Sequence, residues 1–342
     1  MSELTQVEQL LKTYGGEVDD FFKLWPPDKH YFLSSDKQAF LAYGLSTHVA
    51  VCLFDPIGRP SSVAKLLTEF KSYCESKNYQ IVFIQTTDNW QKEYERCEFK
   101  RLLIGADAVI DIKQFTTQTI KNKYFRNLVN RIDKQAYSVK YYEPPHTKAL
   151  ISELKSVSDD WLKLPNHKEW RFLTGRFDET YLQQTPIYIL RDKANVVQAF
   201  TNQLPSFKTG VVTIDLMRHK RKAPPNAIDF LFIEILKQLH AKHLKYFNLG
   251  LSPLDGNRFA NNGLEKVLMQ GYGAFQSFIG FKGLHQFKAK YQPIWEARYI
   301  WYTGSPLRLP QAGRAVLQLL LGKEGEVVDK WCFSSCRSAL IR

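Results

Sequence analysis

The chain has 342 residues, 44% of them hydrophobic and 14% aromatic, which excludes a disordered tail and suits roughly two domains of ~150 residues. No run approaches the ~20 unbroken apolar residues of a spanning helix, and the polar, acidic start Met1–Glu8 lacks the basic region and apolar centre of a secretory signal, so the sequence predicts a cytoplasmic protein. Lys and Arg number 47 against 34 Asp and Glu, a net charge of +13 that gathers polyanions such as nucleic acid or anionic lipid.

In chain order, an amphipathic helix is predicted over Val7–Tyr14, followed by the turn at Pro26-Pro27. Apolar runs at Phe40–Tyr43, Val49–Phe54 and Ile81–Gln85 read as strands. Between the last two, Val63–Ser76 is a helix, with Leu66, Leu67 and Phe70 at helical spacing. Within Ile120–Lys134, the residues Phe125, Leu128, Val129 and Ile132 share one helical face, and Lys123, Arg126, Arg131 and Lys134 make a basic stripe, beside Asn127 and Asn130. Such cations either contact phosphate without reading sequence or are simply solvated.

Tyr141–Pro145 ends in paired prolines that continue neither ladder nor helix, so a boundary is predicted there, between a domain 1–143 and a domain 146–305, with 306–342 as a tail. The second half repeats the mixed α/β pattern: a helix at Lys148–Leu162, strands at Pro186–Arg191, Val196–Leu204 and Gly210–Met217, a helix at Asn226–His243 and a strand at Tyr246–Gly250. Asn226 and Asp229 fit a helix start, and Phe230–Leu236 is apolar nearly all round, as in a buried helix. The tail's Leu309–Leu321, flanked by Arg308, Arg314 and Lys323, either lies on an anionic membrane or packs on the protein. The five cysteines are odd in number and scattered; Cys332 and Cys336 have no second pair to complete a zinc site, and no metal is expected.

Two regions invite chemistry. The apolar run Val211–Ile214 delivers Asp215, a carboxylate that needs a partner if buried. Arg218 is the natural candidate, although strict alternation sends the two side chains to opposite faces unless the strand ends or bulges; a structural ion pair is the other reading. His219, Lys220, Arg221 and Lys222 then form a cationic loop before a helix N-terminus, either a phosphate site or a solvated charge run. Near the C-terminus, Lys288, Lys290, Glu296 and Arg298 lie among Phe287, Tyr291, Trp295 and Tyr299. Cations supported by rings suit a phosphate or a nucleobase; packing is the alternative.

Ordered segments through both halves carry a resemblance. They are Asp28–Phe32, Ala42-Tyr43, Phe54–Gly58 and Phe125–Arg131, then Asp215–Arg218, Asp229–Phe232, Phe247–Leu254, Gly283-Leu284, Phe287–Pro293 and Trp295–Tyr299. Together they resemble the C-terminal domain of the multiple peptide resistance factor family, the lysyl- and alanyl-phosphatidylglycerol synthases. That resemblance implies a tandem GNAT-type acyltransferase fold of α/β (α+β) class, with two mixed-sheet domains and the active site mainly in the second. It also implies transfer of lysine or alanine from aminoacyl-tRNA to phosphatidylglycerol, an anionic phospholipid, at the inner face of the cytoplasmic membrane.

In this reading Asp215 and Arg218 are catalytic, while Lys220, Arg221, Ser252, Lys288, Lys290, Glu296 and Arg298 bind substrate. Lys123, Arg126, Arg131 and Lys134 contact tRNA or lipid headgroup. Two departures stand out: Pro-Asn-Gly of the family is Pro225-Asn226-Ala227 here, and Gly-Leu-Arg is Gly283-Leu284-His285. Ester exchange needs a positioned hydroxyl, a base and oxyanion stabilisation, but no cofactor. No glycine occurs from Val211 to Asn226, which disfavours a coenzyme A pyrophosphate loop. The alternatives are another lipid, a peptidoglycan precursor or a small molecule as acceptor, or a non-catalytic module that binds tRNA or membrane.

Overall fold

The computed structural model describes residues 2–165, 167–253 and 283–322. Its first elements are α1 (Glu3–Tyr14), β1 (His30–Leu33), β2 (Ala39–Ser46), β3 (Val49–Leu53), β4 (Ile57–Gly58), α2 (Pro60–Ser76), β5 (Gln80–Thr86), α3 (Gln91–Arg96), β6 (Lys100–Asp111), α4 (Ile112–Thr117), α5 (Lys123–Lys134) and β7 (Ser138–Tyr142). There follow α6 (Lys148–Trp161), α7 (Glu179–Leu182), β8 (Ile187–Arg191), β9 (Val197–Asn202), β10 (Val211–Thr213), β11 (Arg218–His219), α8 (Ala227–Ala241), β12 (Tyr246–Pro253), α9 (Leu284–Ala289), β13 (Ile294–Tyr302) and α10 (Leu309–Leu321).

Two compact units emerge, and neither is a continuous stretch of chain. One comprises the described residues of Met1–Leu103, Trp170–Thr174 and Tyr299–Arg342; the other comprises those of Ile104–Glu169 and Gly175–Arg298. The division therefore does not fall at the paired prolines. β7, just before them, is hydrogen-bonded along its length to β8, so the prolines turn the chain within the second unit. Composition marks a turn there but carries no record of strand pairing across it.

In the first unit β1, β2 and β3 pair antiparallel, β3 and β5 parallel, and β5 pairs antiparallel with the end of β13. α2 links the parallel pair and buries Val63, Leu66, Leu67 and Phe70 against it. Stacked Tyr94 and Trp301, with ring centroids 4.9 Å apart, close the core. α10 buries Ala312, Ala315, Leu319 and Leu320 on β2 and β3, so its apolar face covers the sheet and leaves Arg308 and Arg314 outside. Lys323, Cys332 and Cys336 lie outside the described residues.

The second unit has two sheets. In one, β12 pairs antiparallel with β6 and parallel with β10; the other is the antiparallel series β7, β8, β9, β11. α8 fills the core, with Leu231, Phe232, Ile233, Ile235 and Leu236 all inaccessible to solvent, each contributing about 1.5–3 kcal/mol of burial. The expected α/β class with mixed sheets holds for both units. Asn226 does not cap α8 as expected: it is left-handed at φ 66° and its side chain makes no capping bond.

Candidate functional site

The strand expected at Gly210–Met217 is two strands in two sheets. β10 pairs with β12 only as far as Thr213 opposite Asn248. The chain then crosses to the other sheet through a bridge from Ile214 to Gln203 and a bond from Asp215 N to Asn202 O, and re-enters as β11 beside β9. Such a change of sheet is the kind of topological break near which α/β proteins bind ligands. Asp215 stands at this crossing, two residues past the last ladder pair.

The Asp215 carboxylate accepts a 2.6 Å bond from the buried Tyr181 hydroxyl and one from the Gly175 amide. Burial pushes its pKa up to about 6, against the downward pull of Tyr181 and of the positive charge of Arg218. It is therefore largely ionised at pH 7 yet basic enough to take a proton, as a general base requires. Gly175 is obligatory for space: a Cβ there would lie 2.0 Å from Asp215 Oδ2 and 2.6 Å from Tyr181 Cε1.

Arg218 is not hydrogen-bonded to Asp215, contrary to the simplest sequence expectation. Its guanidinium forks onto Glu169 at 2.7 and 2.5 Å, bonds Ser158 Oγ, and lies 4.7 Å over the Trp161 ring. Glu169 wins because the turn between strands aims Arg218 at α6 and the segment beyond it, where a bidentate partner waits. Its Nε is buried without a partner among the described residues. Of the cationic loop, Arg221 is committed to Asp160 at 2.8 Å, while Lys220 stays partly accessible.

Beside β10, β12 bulges: its register against β6 breaks between Asn248 and Leu251, and Gly250 has φ 74°. Lys288 is only 4% exposed and donates to Gly250 O and Leu251 O at 2.9 and 2.7 Å. Arg298 is likewise buried, on Asp107 Oδ2 at 2.8 Å, which also accepts from Asn248 Nδ2. The remaining Asp107 oxygen has no partner among the described residues. Ser252 Oγ stands 3.4 Å from His285 Nδ1, and that ring stacks on Trp295 at 4.6 Å. Glu296 pairs with Lys208 at 3.6 Å, both half-exposed.

Lys290 belongs to a further cluster. Its ammonium is 2.5 Å from Asp229 Oδ1 and lies 4.0 Å from the Phe287 ring centroid, 5.1 Å from Tyr124 and 5.4 Å from Tyr291; burial holds its pKa below the usual lysine value. Asp229 also accepts from the hydroxyls of Tyr124 and Tyr291, so the first-turn acidic residue of α8 that the sequence suggested is at the same time a buried hub. Tyr124 sits on α5, which buries Phe125 and Leu128 and turns Lys123, Arg126, Arg131 and Lys134 outward. Of these Arg131 is anchored, donating to Pro225 O. The side chain of Ile132 lies outside the described ones.

The expected residues thus sort by surroundings. Asp215 and Arg218 share one neighbourhood, Lys288 and Arg298 are spent on backbone and Asp107, and the α5 cations remain exposed. Sequence reasoning missed Tyr181, Gly175 and Glu169, which carry no local motif. It also missed Asp107, although a charge inside the apolar run Ile104–Ile110 was a usable signal. Among the described residues no three His, Cys, Asp or Glu side chains converge as a metal site, and no helix is long and apolar enough to cross a membrane.

Residues 8–302 match the family model described as phosphatidylglycerol lysyltransferase, C-terminal. A phosphatidylglycerol lysyltransferase of Staphylococcus xylosus is 32% identical over 297 residues, 86% of this chain and 35% of the relative; the chain spans about a third of the length of the curated relatives it matches. The solved structure of L-PGS from Bacillus licheniformis superposes with a TM-score of 0.81 at 29% identity, over 93% of this chain and 97% of that one. The C-terminal domain of a putative lysylphosphatidylglycerol synthetase from Agrobacterium fabrum gives 0.79 at 26%, over 94% and 98%. The chain belongs to the phosphatidylglycerol lysyltransferase C-terminal family.

Proposed function

We propose that this chain is an aminoacyltransferase that moves lysine, with alanine as the second option, from aminoacyl-tRNA to the headgroup hydroxyl of phosphatidylglycerol. The observation that carries the chemical part is Asp215: a carboxylate raised to about 6, fixed by Tyr181, at the point where the chain changes sheets. The acceptor oxygen attacks the ester carbonyl carbon while its proton passes to Asp215. The bond to the terminal ribose oxygen of the tRNA then breaks, and that oxygen takes the proton back. Bond count and charge balance without metal or coenzyme.

Donor and acceptor are both anionic, and the exposed cations of α5 together with Lys220 are the groups that suit their phosphates. The family relationship supports phosphatidylglycerol and lysine; the absence of glycine from Val211 to Asn226 argues against coenzyme A as donor. In this reading the protein works at the inner membrane surface as a peripheral domain. The test is incubation of the protein with lysyl-tRNA or alanyl-tRNA and phosphatidylglycerol vesicles, followed by mass analysis of the lipid. A lysylated lipid is expected. Product from an acyl-coenzyme A in place of charged tRNA, or no new lipid with either tRNA, would overturn the proposal.

A further inference from the structure

We propose that Lys288 is a positioning residue, whose buried ammonium holds the β12 bulge in shape, and not a cation that binds substrate phosphate. The reaction it serves is the one proposed above. In a regular strand successive carbonyls point to opposite edges. Here Gly250 O and Leu251 O converge on one ammonium, at 2.9 and 2.7 Å, because Gly250 adopts φ 74°. Two carbonyl dipoles aimed at the same point repel each other, and a cation between them reverses the sign of that interaction.

Each trans peptide points its N–H opposite to its C=O, so the same arrangement turns the amides of Leu251 and Ser252 away from Lys288. The bulge is braced from its other end as well. Asn248 Oδ1 accepts from Gly250 N at 2.6 Å, and Asn248 Nδ2 donates to Asp107, which Arg298 holds. Asn248 is also the last residue of β12 paired with β10, so the bulge begins where β10 departs towards Asp215. Lys288 is 4% exposed, and an ammonium so buried is tolerated only when its donors are satisfied by protein groups. At 4% exposure the ammonium is closed to a phosphate from solvent.

The experiment compares Lys288→Met and Lys288→Arg with the unaltered full chain. Amide hydrogen exchange reads the bulge directly: in Lys288→Met, exchange at 249–252 should quicken by about tenfold or more while β7–β9 are unchanged, since opening follows local loss of tethers. In the lipid aminoacylation assay kcat should fall by roughly 10–100-fold, KM for charged tRNA and for phosphatidylglycerol vesicles should stay within about twofold, and Lys288→Arg should restore part of kcat.

A KM raised about tenfold for either substrate, with exchange unchanged, would make Lys288 a substrate-binding cation and overturn the inference. Should Lys288→Met not fold, Gly250→Ala tests the same bulge with Lys288 present: a Cβ there meets nothing within 4 Å, but the backbone conformation is strained. Loss of kcat at constant KM supports the inference, and an unaltered kcat refutes it. If the unaltered chain makes no aminoacyl lipid, the functional proposal fails while the exchange measurement still decides the role of Lys288.

Discussion

Replacing Asp215 by Asn separates catalysis from stability. The carboxyl is raised from 3.8 to about 6, so burial penalises its ionised form by about 3 kcal/mol relative to the unfolded chain. The folded carboxyl holds its proton more tightly than the unfolded one. The penalty is therefore absent below about pH 4, grows from there to about pH 6, and is complete at neutral pH. An amide of the same shape never ionises, and its oxygen still accepts from Tyr181. Asp215→Asn should raise the urea midpoint at pH 7.5 by an amount worth about 1–3 kcal/mol, an advantage that vanishes near pH 4. Removal of a positioned base should at the same time lower kcat by about 10²–10⁴-fold. In the unaltered chain, the proposed activity should decline as pH drops through about 6. A variant with unchanged kcat, or one less stable at pH 7.5, would refute the assignment of Asp215 as a base whose ionisation burial penalises.

Three other outcomes follow from the same geometry. Gly175→Ala, whose Cβ would fall 2.0 Å from Asp215 Oδ2, should displace the carboxylate by more than an ångström and cost about 100-fold in kcat, measured in the same assay. Arg218→Ala abandons Glu169 and Ser158 and should destabilise by about 3 kcal/mol, read as a lower urea midpoint. Changing Lys123, Arg126 and Lys134 together to Gln should leave stability within about 0.5 kcal/mol. If the stripe meets tRNA, titration of binding against salt should show a slope reduced by about two to three.

The elements that periodicity fixes were legible in the sequence. α2 and α5 lie where apolar spacing predicts them, because each buries a face whose pattern is local, and α6 and α8 lie within the ranges predicted for them. What escaped depends on partners far apart in the chain. β6 is a 12-residue strand that the sequence reading did not assign, and its partner β12 lies over a hundred residues on. The run 211–217 looks like one strand because every residue from Val211 to Leu216 suits a ladder except Asp215, and only the competing bonds to Asn202 and Gln203 divide it between two sheets. Charge was misleading for a related reason. Lys288 and Arg298 read as ring-supported cations for a substrate phosphate and Asp229 as a helix-start charge, and the structure buries all three, on carbonyls, a carboxylate and two phenols.

The two units repeat one motif, and their aspartates differ in what holds the carboxylate. Strand, helix and parallel strand recur as β3, α2, β5 and as β10, α8, β12, and each first strand is followed two residues later by an aspartate, Asp55 or Asp215. Each carboxyl is raised by burial and accepts from a buried tyrosine, Tyr94 at 3.1 Å or Tyr181 at 2.6 Å. Asp55, however, also accepts from Thr87 N at 2.8 Å and Thr87 Oγ1 at 2.6 Å, tying the end of β3 to the residue after β5, whereas Asp215 has the Gly175 amide as its further donor. Asp55→Ala should therefore destabilise the chain by about 2–5 kcal/mol, because the Tyr94 hydroxyl and the Thr87 amide lose their acceptor, while kcat per folded molecule stays unchanged. Asp215→Asn should do the reverse on both counts. Equal effects of the two substitutions on kcat would show that the difference in hydrogen bonding does not distinguish a catalytic aspartate from a structural one.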